Sequence, residues 1–418
     1  MWGVIRRILF YPFALLIIII AYIGAGLGAA RVFDIIPAIG FAAFVGAFAV
    51  GSLAIRMLEG KAARNFNIAG ALPLLAAGAL AISVWYFARE GSTAPIDDGA
   101  PPAQHSLWTL RDSATINFDR CGDPDGAPLI FLHGGPAIPP RGKSIDTVCA
   151  IGDEGYDVYI YDQIGSGASS RLADISAYSV ERHVADLEEI RALIGADTIN
   201  LIGVSWGTVL ASHYIAAHPG RVSSAVFVSP GILGPRKGDD VEYDYSLSAS
   251  SDYDGVLLPP LRVIIAGLLA RMNPDAAVNY MPQAEAGAVM DRLAADPGLE
   301  YQGKCKGAPI NAGSGERGSG ANYYANLMTA QDLKRLPDPT GAIRAASPPP
   351  ILIMRGVCDY IPRSALGRYE AAFPAVTIID IDQEGHSFLG ARPDIIVPAA
   401  TCFLSQSCAR NATDAAAR

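Results

Sequence analysis

Apolar positions fall along this chain in two regimes, and each predicts a different kind of element. In the first regime they are continuous. From Ile8 to Ala30 no charged side chain occurs, and the centre reads Leu15-Leu16-Ile17-Ile18-Ile19-Ile20. Two more uncharged stretches follow, Ile35 to Ile55 and Phe66 to Ala88. Each is about 20 residues, the length a helix needs to cross a hydrocarbon core of roughly 30 Å. Residues 1–90 therefore read as a membrane anchor of three transmembrane helices. The alternative is a signal peptide followed by buried core helices. Cleavage near Ala29-Ala30 would still leave two spans.

In the second regime, apolar positions alternate between strand and helix periods. Gly91 to Pro102 is rich in breaker residues, so 91–104 reads as a linker. Ser106–Arg111 and Thr115–Arg120 have the alternation of an antiparallel pair. Leu129–Leu132, Asp157–Tyr161, Thr198–Val204, Ala225–Val228, Ile351–Met354 and Val376–Ile381 read as short buried strands. Helical spacing falls between them, over Val180–Ile194, Thr208–Ala217, Ser364–Phe373 and Pro393–Leu404. Strands separated by helices predict a mostly parallel sheet covered on both faces, with ligands beyond the carboxyl ends of the strands. The rhythm divides the domain into a first half at 105–230, a lid insertion at 231–347 and a second half at 348–418. Leu261–Met272 and Glu285–Ala295 read as helices of the lid.

Composition sharpens this division. Of 418 residues, 51% are hydrophobic and 17% charged, with a net charge of −9. The first 90 residues carry seven Lys/Arg against three Asp/Glu, so the acidity resides in the remainder. A domain that acidic is a poor match for nucleic-acid phosphates. Arg6, Arg7, Arg56, Lys61 and Arg64 flank the apolar stretches on one side, which predicts a cytoplasmic N-terminus and an extracytoplasmic domain. All six cysteines lie in that domain, where an even number predicts disulfides. Cys402 and Cys408 are near enough for a small loop, and the alternative is six buried thiols. Few ionisable groups interrupt the apolar stretches, which favours an anchor over a transporter.

Candidate chemistry begins at Gly203-Val204-Ser205-Trp206-Gly207, between an apolar strand and a helix. That is the setting of a nucleophile elbow, a turn tight enough to require small neighbours two residues either side of the serine. A serine hydroxyl needs a base, and the base an orienting acid. His386, after the last strand, is the candidate base. His105, His183, His213 and His218 fall near the linker or on helices and read as structural. Asp359 follows the strand Ile351–Met354 and is the candidate acid, with Asp380 and Asp382 as rivals. His133-Gly134-Gly135-Pro136 follows another strand. The Gly135 and Trp206 N–H groups are the candidate oxyanion donors, with Gly134 and His133 supporting that loop. No His/Cys cluster has zinc-ligand spacing, and no cofactor is called for.

These residues resemble the proline iminopeptidase family of α/β-hydrolases. The family's His-Gly-Gly-Pro-Gly is similar to His133 to Ala137, and its Asp-Gln-Arg-Gly-x-Gly-x-Ser to Asp162 to Ser169. Its Gly-x-Ser-Trp-Gly is intact at Gly203 to Gly207, and Gly385-His386-Ser387 is similar to its histidine loop. Ala137 and Ile164 stand where the family has glycine and arginine. The resemblance covers about 105–230 and 348–405. It implies the α/β-hydrolase fold with a helical lid, and a serine hydrolase releasing N-terminal residues, often proline, from short peptides. It also implies lid carboxylates that hold the substrate ammonium. Glu242, Asp244, Asp252, Asp254 and Glu316 are candidates, and Asn322-Tyr323-Tyr324 is faintly similar to a family lid segment, with Gly320 where a glutamate would precede it. The partners expected are a peptide substrate and the lipid bilayer. An esterase, or a non-catalytic membrane-bound binding module, is the competing reading.

Overall fold

The computed structural model describes residues 2–34, 36–59, 75–81, 106–140, 142–234, 246, 248, 260–295, 303–308 and 320–406. The chain divides into two compact units. One comprises 1–92 together with 257–286, the other 93–256 together with 287–418.

In the first unit, α1 (Trp2–Ala30) and α2 (Ile36–Glu59) form a helical hairpin. Small residues let the two backbones approach, as a Cβ at Gly46 would stand 2.4 Å from the Cβ of Ala25. Only Phe13–Ala30 is long and apolar enough, among the described residues, to cross a membrane. The three-span expectation is corrected to one such helix. The apolar run of α2 is the shorter Ala38–Leu53, and the third stretch is described only over 75–81.

Residues 257–286, from within the expected lid insertion, group with this first unit. Asn273 joins α6 (Leu261–Met272) to α7 (Pro274–Tyr280) and caps α7 by accepting from the Ala276 N–H. Its Nδ2 also donates to Asp34 Oδ1 at 2.8 Å, and Asn279 Nδ2 donates to the Asp34 carbonyl, both at the α1–α2 turn. Hydrogen bonds of this kind are invisible to periodicity.

The second unit is built on an eight-stranded sheet of order β1-β2-β4-β3-β5-β6-β7-β8. Its strands are β1 (Ser106–Thr109), β2 (Thr115–Gly122), β3 (Ala127–Leu132), β4 (Tyr156–Tyr161), β5 (Ile199–Ser205), β6 (Val222–Pro230), β7 (Ile351–Gly356) and β8 (Val376–Ile381). β1 and β2 pair antiparallel, and β2 joins β4 antiparallel. From β4 onward all pairings are parallel. The parallel strands read as unbroken apolar runs because both faces are covered. Leu129, Phe131, Val158, Ile160, Ile202, Val226, Leu352 and Met354 share one core, capped by α12 (Pro393–Leu404).

Four helices lie outside the expected rhythm or follow it closely enough to position the site. α3 (Lys143–Gly152), between β3 and β4, was not expected: its buried positions have helical spacing, but Ser144 and Thr147 among them are polar. Cys149 on α3 is disulfide-bonded to Cys121 on β2. α4 (Val180–Ile194) starts at an N-cap Ser179 and ends at a left-handed Gly195. α5 (Trp206–Ala217) begins at the residue after Ser205. α11 (Leu366–Ala372) follows β7. Among the described residues the other α-helices are α8 (Gln283–Ala294), α9 (Tyr323–Leu333) and α10 (Thr340–Ala345). A second disulfide joins Cys305 to Cys358, and Cys402 is also disulfide-bonded, whereas Cys408 lies outside the described residues.

Candidate active site

The site starts from a steric requirement. Ser205 closes β5 with φ 52°, ψ −116°, a conformation costly for any side-chain-bearing residue. The surroundings over-determine it. A Cβ at Gly203 would come within 2.8 Å of the Gly207 backbone, and one at Gly207 within 1.9 Å of the Leu132 carbonyl oxygen. Both positions must therefore be glycine for β5 to turn into α5 beside β3. The Ser205 carbonyl accepts from the Gly231 N–H at 3.1 Å and from Thr208 Oγ1 at 2.7 Å. Tyr369 on α11 donates to the Gly231 carbonyl and is 2.9 Å from Thr208 Oγ1. The turn is thus held from β6 and α11 as well as from its own strand.

The structure brings Ser205, His386 and Asp359 together. Ser205 Oγ lies 2.9 Å from His386 Nε2, and His386 Nδ1 lies 2.9 Å from each carboxylate oxygen of Asp359. An ionised carboxylate only accepts, so Nδ1 carries the hydrogen and Nε2 is left to accept from the serine. Asp359 is 5% exposed and His386 7% exposed. The Ile361 N–H donates to Asp359 Oδ1, fixing the carboxylate from its own turn. The Tyr360 ring stands 4.6 Å from the imidazole, centroid to centroid. The rival acids go elsewhere. Asp380 is 40% exposed on its side chain and pairs with Arg355 and Arg363, and Asp382 is exposed.

The loop after β3 lies against the serine, since a Cβ at Gly134 would stand 3.3 Å from Ser205 Cβ. Gly135 follows it at φ 112°, and its peptide bond to Pro136 is cis. Ala137, where the resembled family has glycine, takes φ 56° and is fully buried. The Trp206 N–H belongs to the first turn of α5, whose leading N–H groups have no partner within the helix and suit a developing negative charge. His133 braces this loop. Its Nε2 accepts from the Gln163 N–H at 3.0 Å, and its Nδ1 is 2.9 Å from the Gly134 carbonyl.

No sequence pattern assigns a role to Gln163, although its motif, Asp162 to Ser169, is legible there. Its Nε2 donates to the His133 carbonyl at 3.0 Å, and its Oε1 accepts from the Trp206 indole at 2.8 Å. One amide therefore ties the β3 loop to the residue after the serine. Asp162 explains the rest of that motif: it accepts from Asn117 Nδ2 and the Ala168 N–H, and a Cβ at Gly167 would overlap its carboxylate.

Two other histidines, His183 and His213, are kept uncharged near neutral pH by burial. Burial pushes the His183 imidazole down to about 3, helped by nearby His133 and Arg182, and pushes His213 down to about 4. His218 lies against Tyr214 with ring centroids 4.9 Å apart and planes tilted by 36°, and His105 lies outside the described residues. Glu242, Asp244, Asp252, Asp254 and Glu316, the carboxylates expected to hold the substrate ammonium, lie outside them too. Asn322 caps α9, and Asn326 on α9 donates to the Pro136 carbonyl at 2.7 Å. Among the described residues no group of three or more His, Cys, Asp or Glu is disposed to hold a metal.

Comparison with known proteins places this geometry. Residues 127–390, well over half of the chain, match the alpha/beta hydrolase fold family. A protein named proline iminopeptidase from Xylella fastidiosa is 31% identical over 194 residues, 44% of this chain and 60% of the relative. A probable proline iminopeptidase from Streptomyces coelicolor is 33% identical over 44% of this chain and 54% of its own length. The chain spans about half the length of the curated relatives it matches. Among solved structures, an esterase from Thermogutta terrifontis superposes with TM-score 0.52 at 17% identity, over 73% of this chain and 99% of the esterase. An esterase from Exiguobacterium antarcticum gives 0.51 at 15% identity, over 72% and 99%.

Proposed function

The chain belongs to the α/β-hydrolase fold family, and from that premise we propose that it is a membrane-tethered, extracytoplasmic serine hydrolase acting as an aminopeptidase on short peptides. One observation carries the chemistry: a strained, glycine-flanked serine hydroxyl 2.9 Å from an imidazole whose other nitrogen faces a buried carboxylate. Ser205 Oγ attacks the scissile carbonyl while His386 Nε2 takes its proton. Asp359 holds the imidazole in the required tautomer and stabilises the imidazolium. The carbonyl oxygen, now an oxyanion, is met by the Gly135 and Trp206 N–H groups, each such donor being worth about 3 kcal/mol in the transition state. His386 returns the proton to the leaving amine. Water then repeats the sequence on the acyl-enzyme and frees Ser205.

Peptide substrates are supported by the 31–33% identity to the named iminopeptidases and by the resemblance of the motifs to that family, and membrane attachment by the apolar Phe13–Ala30 helix. An extracytoplasmic setting is supported by the flanking basic residues and by the disulfides. A fluorophosphonate probe should label wild type and spare Ser205→Ala. Turnover of proline arylamide above that of short acyl esters is expected. Ester turnover without any arylamide cleavage would replace the aminopeptidase reading by an esterase, and an unlabelled wild type would remove the hydrolase altogether.

A further inference from the structure

Residues 303–305 come from the long insertion between β6 and β7, far in sequence from the reacting groups, yet they are bound to both loops that carry the base and the acid. They run antiparallel to the histidine loop, with Lys304 bridged to Glu384. The Cys305 N–H donates to the Gln383 carbonyl, and the Gly385 N–H to the Gly303 carbonyl at 2.9 Å. Lys304 Nζ donates to both oxygens of Glu384, at 2.7 and 2.8 Å, and Arg392 adds a third contact at 3.3 Å. Glu384 is only 2% exposed, so this ion pair sits two residues from His386 largely shielded from water.

On the other side, Cys305 is joined covalently to Cys358, the residue before Asp359. The two clamped loops also touch directly. The Cys358 N–H donates to the Glu384 carbonyl, and a Cβ at Gly356 would stand 2.2 Å from that same oxygen.

On the reading of Ser205, His386 and Asp359 as a hydrolase triad, we infer that the 303–305 segment is a positioning strap, in which the Cys305–Cys358 disulfide holds the acid turn and the Lys304–Glu384 pair holds the histidine loop. The strap sets the register between imidazole and carboxylate, and it makes the catalytic rate depend on an oxidised Cys305–Cys358 bond. A purely structural crosslink would instead alter how much protein folds and leave each folded molecule equally reactive.

The test uses the full chain in detergent and reads the second-order rate of fluorophosphonate labelling per titratable site. kcat and KM for p-nitrophenyl acetate are measured beside it. Cys305→Ser/Cys358→Ser and Lys304→Met should each label about tenfold more slowly per site, since misplacing a reacting group by ~1 Å costs on the order of a hundredfold. kcat should fall and KM stay put, and Lys304→Arg should recover the rate. Cys121→Ser/Cys149→Ser removes a disulfide on β2 and α3 and should keep the wild-type rate per site. Strap variants that lose titratable sites or melting temperature but keep the wild-type rate per site would overturn the strap. A wild type that neither labels nor hydrolyses would overturn the triad reading on which it rests.

Discussion

Gly207 shows how little room the nucleophile turn leaves. A methyl group there has nowhere to go but the Leu132 carbonyl, which belongs to a neighbouring strand and cannot yield alone. Gly207→Ala is expected to lose about 3 kcal/mol or more of stability and all fluorophosphonate labelling. Urea denaturation and labelling of the same preparation check both. His183 makes a different prediction. Its folded pKa, about 3, lies below the ordinary imidazole value, so the unfolded chain binds the extra proton between the two. Stability is complete above about pH 6.5. It falls as pH drops toward 3, by up to about 1.4 kcal/mol per pH unit from this group. His183→Gln should flatten that slope in urea unfolding between pH 7 and 4. Equal slopes in both proteins would contradict it.

Between residues and the whole, the site depends on how elements are tied. Gln163 links the β3 loop to α5 through both ends of one amide, so Gln163→Leu leaves the His133 carbonyl and the Trp206 indole N–H without their partner. A loss of about 1–3 kcal/mol in stability is expected, together with slower labelling per site. The β2–α3 disulfide is a contrasting tie. Removing it with Cys121→Ser/Cys149→Ser should cost about 2–4 kcal/mol, because it closes a loop in the unfolded chain. Calorimetry or urea titration reads that cost. Neither tie was legible beforehand. α3 is short, and although its buried positions Ser144, Thr147, Val148 and Ile151 have helical spacing, only two of those four are apolar. Gln163 was visible as a motif member, but a polar side chain that bridges two loops leaves no periodic trace.

For the molecule as a whole, the apolar N-terminal region and the acidic remainder should behave as one membrane-bound protein. The full chain is expected in the membrane fraction after a carbonate wash and released by detergent. Protease added outside intact spheroplasts should remove the second unit. Recovery in the soluble fraction would withdraw the tether. The grouping of 257–286 with the N-terminal helices belongs to this scale. The insertion looked like one lid because it interrupts one strand rhythm, yet Asn273 and Asn279 bond it to the turn at Asp34, more than 200 residues earlier.

Local chemistry accounts for what could be read from the residues alone. The alternation of strands and helices and the β5–α5 turn with its glycines follow from periods of two and 3.6 residues and from steric limits inside a five-residue bend, and the need for an acid and a histidine follows from the weak nucleophilicity of a serine hydroxyl. Tertiary structure alone decided which distant segments meet. Ser205 and His386 are separated by 181 positions, Asp359 prevails over Asp380 and Asp382 by facing the imidazole, and Cys305 finds Cys358 across 53. Those pairings depend on the spatial order β5-β6-β7-β8 and on the bridge between Lys304 and Glu384. Proximity of that kind comes from packing the entire sheet, and no short window of sequence contains it.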